Sequence, residues 1–223
     1  MKLNKILRIA CDGESASGKS FASKLIAKKY RLFCLNSGLA YRYASYIILK
    51  HKPKKATSFL KKKFNNLNYK KITNLNLHTQ EISTHVANLA KQKKIREIIR
   101  IFQKKIIKKH PKIVVEGRDS ASSILKKNPR YTVAFYFTCK LSVASFRRWH
   151  DLKKKIPLNE IKKSLKNRTM LDKKRYHNPL KKVSDAVVIR THLLSKKQMI
   201  AKMAKHIDNE ILKYGRNYKD RKK

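Results

Sequence analysis

The run Gly13-Glu14-Ser15-Ala16-Ser17-Gly18-Lys19-Ser20 matches the pattern G-x-x-x-x-G-K-[ST] in full. The chemistry it can do is to hold a polyphosphate. Glycines let the backbone turn with positive φ and come close to an anion. Successive N–H groups and the start of the following helix then point at the phosphate oxygens. Lys19 would reach the terminal phosphates, and Ser20 would face a Mg²⁺ ion travelling with them.

Three further groups of residues could complete a phosphate-handling site. Arg118 and Asp119 follow the apolar run Ile113 to Glu116, at the end of a strand, where open α/β sheets bind ligands. The alternative for this pair is a mutual salt bridge in a loop. Asn36-Ser37-Gly38-Leu39-Ala40-Tyr41-Arg42 reads as a turn and then a helix bearing an arginine, which can grip a phosphate bidentately or stand exposed. Arg168, Asp172 and Arg175 lie at i, i+4 and i+7, on one helix face. They form either a binding face or solvated ion pairs. A GTPase would need N-K-x-D, which is missing, and the third strand does not end in the Asp-Glu of an ATP motor.

These residues need a frame that brings them together. Five short β-rich runs, Leu7 to Cys11, Leu32 to Leu35, Ile113 to Glu116, Thr132 to Phe137 and Ala186 to Ile189, are almost wholly apolar. That is the pattern of strands buried on both faces of a parallel sheet. Helical spacing lies between them, after the glycine-rich loop, from Val86 to Ile106 as one long helix, from Leu141 to Leu152, from Glu160 to Tyr176 and from Lys196 to Leu212. The alternation predicts an α/β fold with right-handed crossovers. The stretch from His51 to Leu77 is rich in Lys and Asn with weak periodicity, and reads as an insert. Lys153 to Leu158 is a polar break that reads as a mobile flap.

The chain carries 58 Lys and Arg against 13 Asp and Glu, a formal charge of +45. The excess is spread along the chain, including Lys52 to Lys63, Lys104 to Lys112, Lys153 to Lys166 and Arg216 to Lys223. A diffuse excess favours compositional bias over a nucleic-acid groove, and it draws anionic substrates either way. With 41% hydrophobic residues the chain can build a core. No apolar run approaches the roughly 20 residues of a membrane span. The charged N-terminus reads as a strand leading into the loop rather than as a leader, so a cytoplasmic protein is expected. Its 3 cysteines, Cys11, Cys34 and Cys139, are scattered in or beside strands as in a reducing compartment. The 8 histidines show no metal-binding spacing.

Taken together, these segments resemble the bacterial cytidylate kinases. The match is carried by Asp12-Gly13 through Ser20, Ser37-Gly38-x-x-Tyr41-Arg42, Glu116-Gly117-Arg118-Asp119, and Arg168-x-x-x-Asp172-x-x-Arg175 followed by Pro179-Leu180. Thr79-Gln80-Glu81, Ile95-Arg96-Glu97 and Ser184-Asp185-Ala186-Val187-Val188-Ile189 extend it. The resemblance implies a P-loop three-layer core around a five-stranded parallel sheet, in a single kinase domain spanning 1–223. It implies a shortened monophosphate-binding insert at 51–85 and a lid at 150–165. It implies transfer of the γ-phosphate of ATP to CMP, and to dCMP, with Mg²⁺, by a monomer. By similarity, Gly13 to Ser20 together with Phe21 would hold ATP. Arg42 and Arg118 would hold the CMP phosphate, Arg168 and Asp172 the ribose, and Arg96 and Arg175 the base, with Ser37 and Asp119 lining the site. Lys19, Arg118 and Arg168 would carry catalysis.

The chain departs from the family pattern at several points. Asn36 stands where Asp is usual, Ala87 where a base-reading serine is, and Ser120-Ala121 where an apolar residue and Gly are. Ala144 replaces an arginine, and the insert is short. Two other readings remain beside this one. One is a basic P-loop protein that binds nucleic acid. The other is a related small-molecule kinase, such as a shikimate kinase, in which the Arg168, Asp172 and Arg175 face would lie away from the second substrate.

Overall fold

A computed structural model describes residues 6–220, with side chains described except at Gln80 and 214–220. Residues 1–5 of the expected N-terminal strand lead-in, and 221–223 of the terminal basic run, lie outside the described residues. Five parallel strands form one sheet: β1 (Leu7–Gly13), β2 (Phe33–Asn36), β3 (Lys112–Gly117), β4 (Val133–Thr138) and β5 (Val187–Arg190), in the order β2-β3-β1-β4-β5. All pairings are parallel, with Asp12 opposite Gly117 on one side and Tyr136 on the other. The carboxyl ends of the strands therefore share one edge.

The strands are apolar throughout because each face is covered. Leu7, Ile9, Cys11, Val133, Phe135 and Phe137 point to a layer of α1 (Lys19–Tyr30) and α9 (Lys196–Asp220), where Ile26, Met203 and Ile207 are buried. The alternate residues Ala10, Ile113, Val115 and Ala134 point to the opposite layer. That layer holds α2 (Ser37–His51), α3 (Ala56–Asn65), α4 (Tyr69–Thr73), α5 (Gln80–Leu89) and α6 (Lys93–Lys109). At about 25 cal/mol per Å² this two-sided burial is the main stabilising term.

Two expectations about the helices change. The segment from 51 to 77 contains α3 and α4, and its Leu60, Phe64, Ile72 and Leu77 belong to the same apolar cluster as the sheet. Phe64 meets Phe102 of α6 edge-on at 5.3 Å. Lysines on the outer face hide this short apolar stripe from a periodicity reading. The single long helix expected before the third strand is two, α5 and α6, broken at Ala90 to Gln92. The break has no Gly or Pro to mark it. It is stabilised at a distance in sequence, because Arg96 Nη1 donates to the carbonyl of Ala90, left over at the end of α5.

Beyond β4 lie α7 (Leu141–Asp151) and α8 (Leu158–Lys174), joined by a turn in which Lys153 and Lys154 adopt positive φ. Ala144, Ile161 and Leu165 form a small apolar core between them. Ala144 is 2% exposed, so the position that carries an arginine in the family pattern is packed shut here. Basic residues occupy the last turns of α1, α2, α3, α6, α7 and α8. There they face the partial negative charge of helix ends, so part of the diffuse excess is locally compensated.

Candidate active site

The phosphate loop runs from Gly13 at the end of β1 to the start of α1. A side chain at Gly13 would run into the backbone carbonyl of Phe137 on β4. Gly18 has φ of 80° and forms the N-cap of α1. Both glycines are thus required, one by crowding and one by conformation. Lys19 is buried, and burial first and the Arg118 cation second lower its pKa from 10.5 to about 7. Ser20 opens the helix beside it, on the solvent side. Phe21 is 41% exposed and carries Lys196 over its ring at 5.1 Å.

Arg118 lies in the loop after β3, opposite the phosphate loop. Its Nη2 donates to Ser15 Oγ at 3.3 Å and its Nε to Asp172 Oδ2 at 2.6 Å. Asp172 also faces Arg175 at 3.7 Å. Burial would raise the Asp172 carboxyl, but Arg118, with Arg175 and Arg168, outweighs it and lowers the pKa. Arg175 in turn reaches Asp119 at 3.4 Å, and Asp119 accepts from Arg96 Nη2 at 2.6 Å. An unbroken chain of charges thus runs from the phosphate loop through the loop after β3 and α8 to α6. Arg118 and Asp119 do not pair with each other, which removes the loop salt-bridge alternative.

The remaining expected residues fall around this chain. Arg96 is 3% exposed and lies over the ring of Tyr41 at 5.4 Å. Its Nε, and Nη2 of Arg175, are buried without a hydrogen-bond partner among the described residues. Arg168 is open to solvent in a cleft whose crowding, with the Arg118 cation, lowers its pKa to about 10; Asp172 partly offsets this, and Arg42 and Arg148 add to it. Arg42 Nη1 donates to the Leu77 carbonyl at 2.8 Å and to Ser83 Oγ at 3.1 Å, so it also ties α2 to the head of α5. Ser37 begins α2, packed so closely on Gly117 that a side chain there would strike its Oγ. Arg175 is a correction to the helical spacing, since α8 ends at Lys174 and Arg175 follows in extended geometry.

Asn36 caps α2 through Oδ1, accepting from Leu39 N at 3.2 Å. Asn and Asp serve equally well in that position. Ala87 is half-buried in α5. Of the thiols, Cys11 is pushed up by burial, and Cys34 rises to about 12 by burial and then by Glu116. Cys11 is a core thiol, and Cys34 packs half-buried against the same cluster.

Three residues near the site were given no role by the sequence. His78 follows the Leu77 carbonyl that Arg42 grips, and burial and then Arg42, Arg148, Arg168 and Lys24 lower its pKa. Asp12 and Glu116 are each the acidic residue just before the glycine that closes an apolar strand, the signal that could have given them one. Glu116 is 3% exposed, its Oε2 has no hydrogen-bond partner among the described residues, and its charge raises the pKa of Lys19. A buried, unpartnered carboxylate oxygen beside a phosphate loop suits a Mg²⁺ ion carried with a triphosphate, directly or through its water shell. Two surface grooves, one at Tyr46 and Leu49 and one at Phe146 and Leu158, contain none of the network's arginines or aspartates.

A parallel sheet with a phosphate loop after its central strand and facing arginines on neighbouring strand ends defines a P-loop phosphotransferase of the nucleoside monophosphate kinase class. The cytidylate kinase family model matches residues 9–209, and the chain belongs to that family. It is 30% identical over 206 residues to the cytidylate kinase of Phytoplasma mali, covering 84% of this chain and 88% of the relative. It is 29% identical to that of Listeria innocua, covering 94% and 99%. Among solved structures, a Thermus thermophilus protein superposes with TM-score 0.52 at 11% identity over 92% of this chain and 97% of its own. An uncharacterized Eubacterium ventriosum protein gives 0.51 at 16%, over 92% and 99%. These two share the fold.

Proposed function

We propose that the protein transfers the γ-phosphate of ATP to CMP, and to dCMP, within the cleft between the phosphate loop and the Arg118 loop. The observation that carries this is the charge chain from Ser15 through Arg118, Asp172, Arg175 and Asp119 to Arg96. It supports the reading because the arginines assigned to the second substrate are linked to the donor loop through Arg118 and Ser15. The shikimate-type reading expects Arg168, Asp172 and Arg175 away from the second substrate, and the Arg118–Asp172 contact beside the phosphate loop disfavours it.

The loop N–H groups and Lys19 hold the triphosphate. A guanidinium has more N–H donors than Arg118 uses within the protein, so it can take phosphate oxygens as well. Arg42 and Arg168 face the same space. An oxygen of the CMP phosphate attacks the γ-phosphorus, the bond to the bridging oxygen breaks, and ADP leaves with the electron pair. Little covalent work falls to the protein, so positioning and cationic stabilisation supply the rate. Ser20 and Glu116 would hold Mg²⁺, which when bound neutralises charge on the phosphates. The Nε of Arg96, which makes no hydrogen bond among the described residues, suits the acceptor edge of cytosine.

We further propose the 150–165 segment as the lid and 51–85 as the monophosphate-binding insert of a monomeric, cytoplasmic enzyme. None of the described helices is long and apolar enough to cross a membrane. The test is ADP release measured with CMP, dCMP, UMP, AMP and shikimate in turn. CMP and dCMP should stimulate it most. If no acceptor stimulates ATP consumption, the reading is wrong.

A further inference from the structure

Asp12 is 2% exposed and stands at the end of β1, immediately before the phosphate loop. Its two carboxylate oxygens take two backbone donors from another segment: Ser120 N to Oδ1 and Ala121 N to Oδ2, each at 2.8 Å. Ser120 and Ala121 open the single π turn Ser120–Ile124, directly after Arg118 and Asp119. The first N–H groups of such a turn have no partner within it, and a buried carboxylate satisfies both. The mechanism above leaves this carboxylate unused.

We propose that Asp12 is a positioning residue that fixes the Arg118–Asp119 loop to the phosphate loop, so that donor and acceptor phosphates meet in register. Gly13 and Asp12 are consecutive, so any shift of the π turn relative to β1 becomes a shift of Arg118 relative to the transferred phosphate. Among the described residues the other side-chain tie between the two loops is the Arg118–Ser15 hydrogen bond, at a longer 3.3 Å. The substitution of Ser120-Ala121 for the family's apolar residue and Gly leaves the tie intact, because it uses backbone N–H groups alone. The inference rests on Arg118 acting on the acceptor side.

Protonation would break the clamp, since a neutral carboxyl turns one acceptor oxygen into a donor facing an N–H. Burial raises the Asp12 pKa to about 6, the Ala121 and Ser120 N–H groups working against it and Asp119 with it. The other titratable groups around it are Tyr136 on β4 and Cys11 on its own strand.

The test is Asp12→Asn, which keeps the shape and loses one acceptor. Displacement of a reacting group by about 1 Å costs on the order of 100-fold, so kcat with CMP should fall about that much. Binding of a fluorescent ADP analogue should stay within a few-fold of wild type, because the phosphate loop is not altered. Wild-type kcat should decline below about pH 6, and the variant should lack that limb. Amide exchange at Ser120 and Ala121 should lose protection in the variant, and in wild type at pH 5 relative to pH 8. The exchange readout needs no turnover and uses wild type if the variant fails to fold. Retained protection, or kcat within threefold of wild type, overturns the inference. A loss of ADP-analogue binding as large as the loss of kcat also overturns it, since Asp12 would then serve the donor loop alone. Absence of CMP-stimulated turnover in wild type, with the exchange result as expected, sinks the functional reading instead.

Discussion

Arg118 Nε and Asp172 Oδ2 meet at 2.6 Å across 54 residues of chain, and the same guanidinium touches Ser15 of the phosphate loop. One side chain therefore spans the donor loop and the helix face assigned to the acceptor sugar. Arg118→Ala should leave the fold intact and reduce kcat at least 100- to 1000-fold, the scale of one lost oxyanion donor. Near-wild-type turnover would remove Arg118 from the reaction. Asp172→Asn should act mainly on KM for CMP, and steady-state kinetics separate the two effects.

Lys19 should make nucleotide binding pH-dependent. Its folded pKa is about 7 against an ordinary 10.5, burial being the first cause. A bound polyphosphate favours the ammonium, so binding above pH 7 should take up a proton and weaken as pH rises. Calorimetry in buffers of different ionisation enthalpy measures the uptake, and Lys19→Met should abolish it. Folding responds with the opposite sign. Between about pH 7 and 10.5 the unfolded chain holds the extra proton, so the contribution of Lys19 to stability improves as pH rises through that window.

The Arg96–Asp119 pair is buried, with side chains 4% and 8% exposed. Removing one partner leaves a buried charge uncompensated, which costs about 3–5 kcal/mol. Asp119→Ala should therefore lower the urea midpoint strongly, although Arg175 loses a partner too. Replacing Arg96 and Asp119 together by apolar residues of similar size should recover much of that stability while leaving CMP binding impaired. Stability that stays low in the double variant would argue against the charge explanation.

Phe64 tests whether the short insert is part of the main core. It is 3% exposed and packed on Phe102. Phe64→Ala should cost about 3–5 kcal/mol in a single cooperative transition. An independent unit would instead lose its own early transition and leave the rest unchanged, as followed by denaturant titration with tryptophan fluorescence from Trp149.

All five strands lie within about two residues of the runs marked by apolar content, because burial on both faces leaves an almost continuous apolar signal. Gly13, Gly18 and Lys19 were equally legible, since a phosphate loop is a local backbone device. Helices α3 and α4 were not, because only a few residues of each face the core and lysines dominate the rest. The break between α5 and α6 was hidden because its cap, Arg96, lies beyond it.

The strands, the phosphate loop and the residue types of the proposed acceptor site were legible along the chain, because all depend on neighbours close in sequence. Which carboxylate each arginine meets was set by the packing of distant segments. Arg118 pairs with Asp172 and not with its neighbour Asp119, which instead joins Arg96 and Arg175. Those choices depend on the stacking order β2-β3-β1-β4-β5, which brings strand ends together that are far apart in sequence. Asp12 shows the same division. Its position before the loop was plain, but its partners, Ser120 and Ala121, exist for it only because β3 lies beside β1.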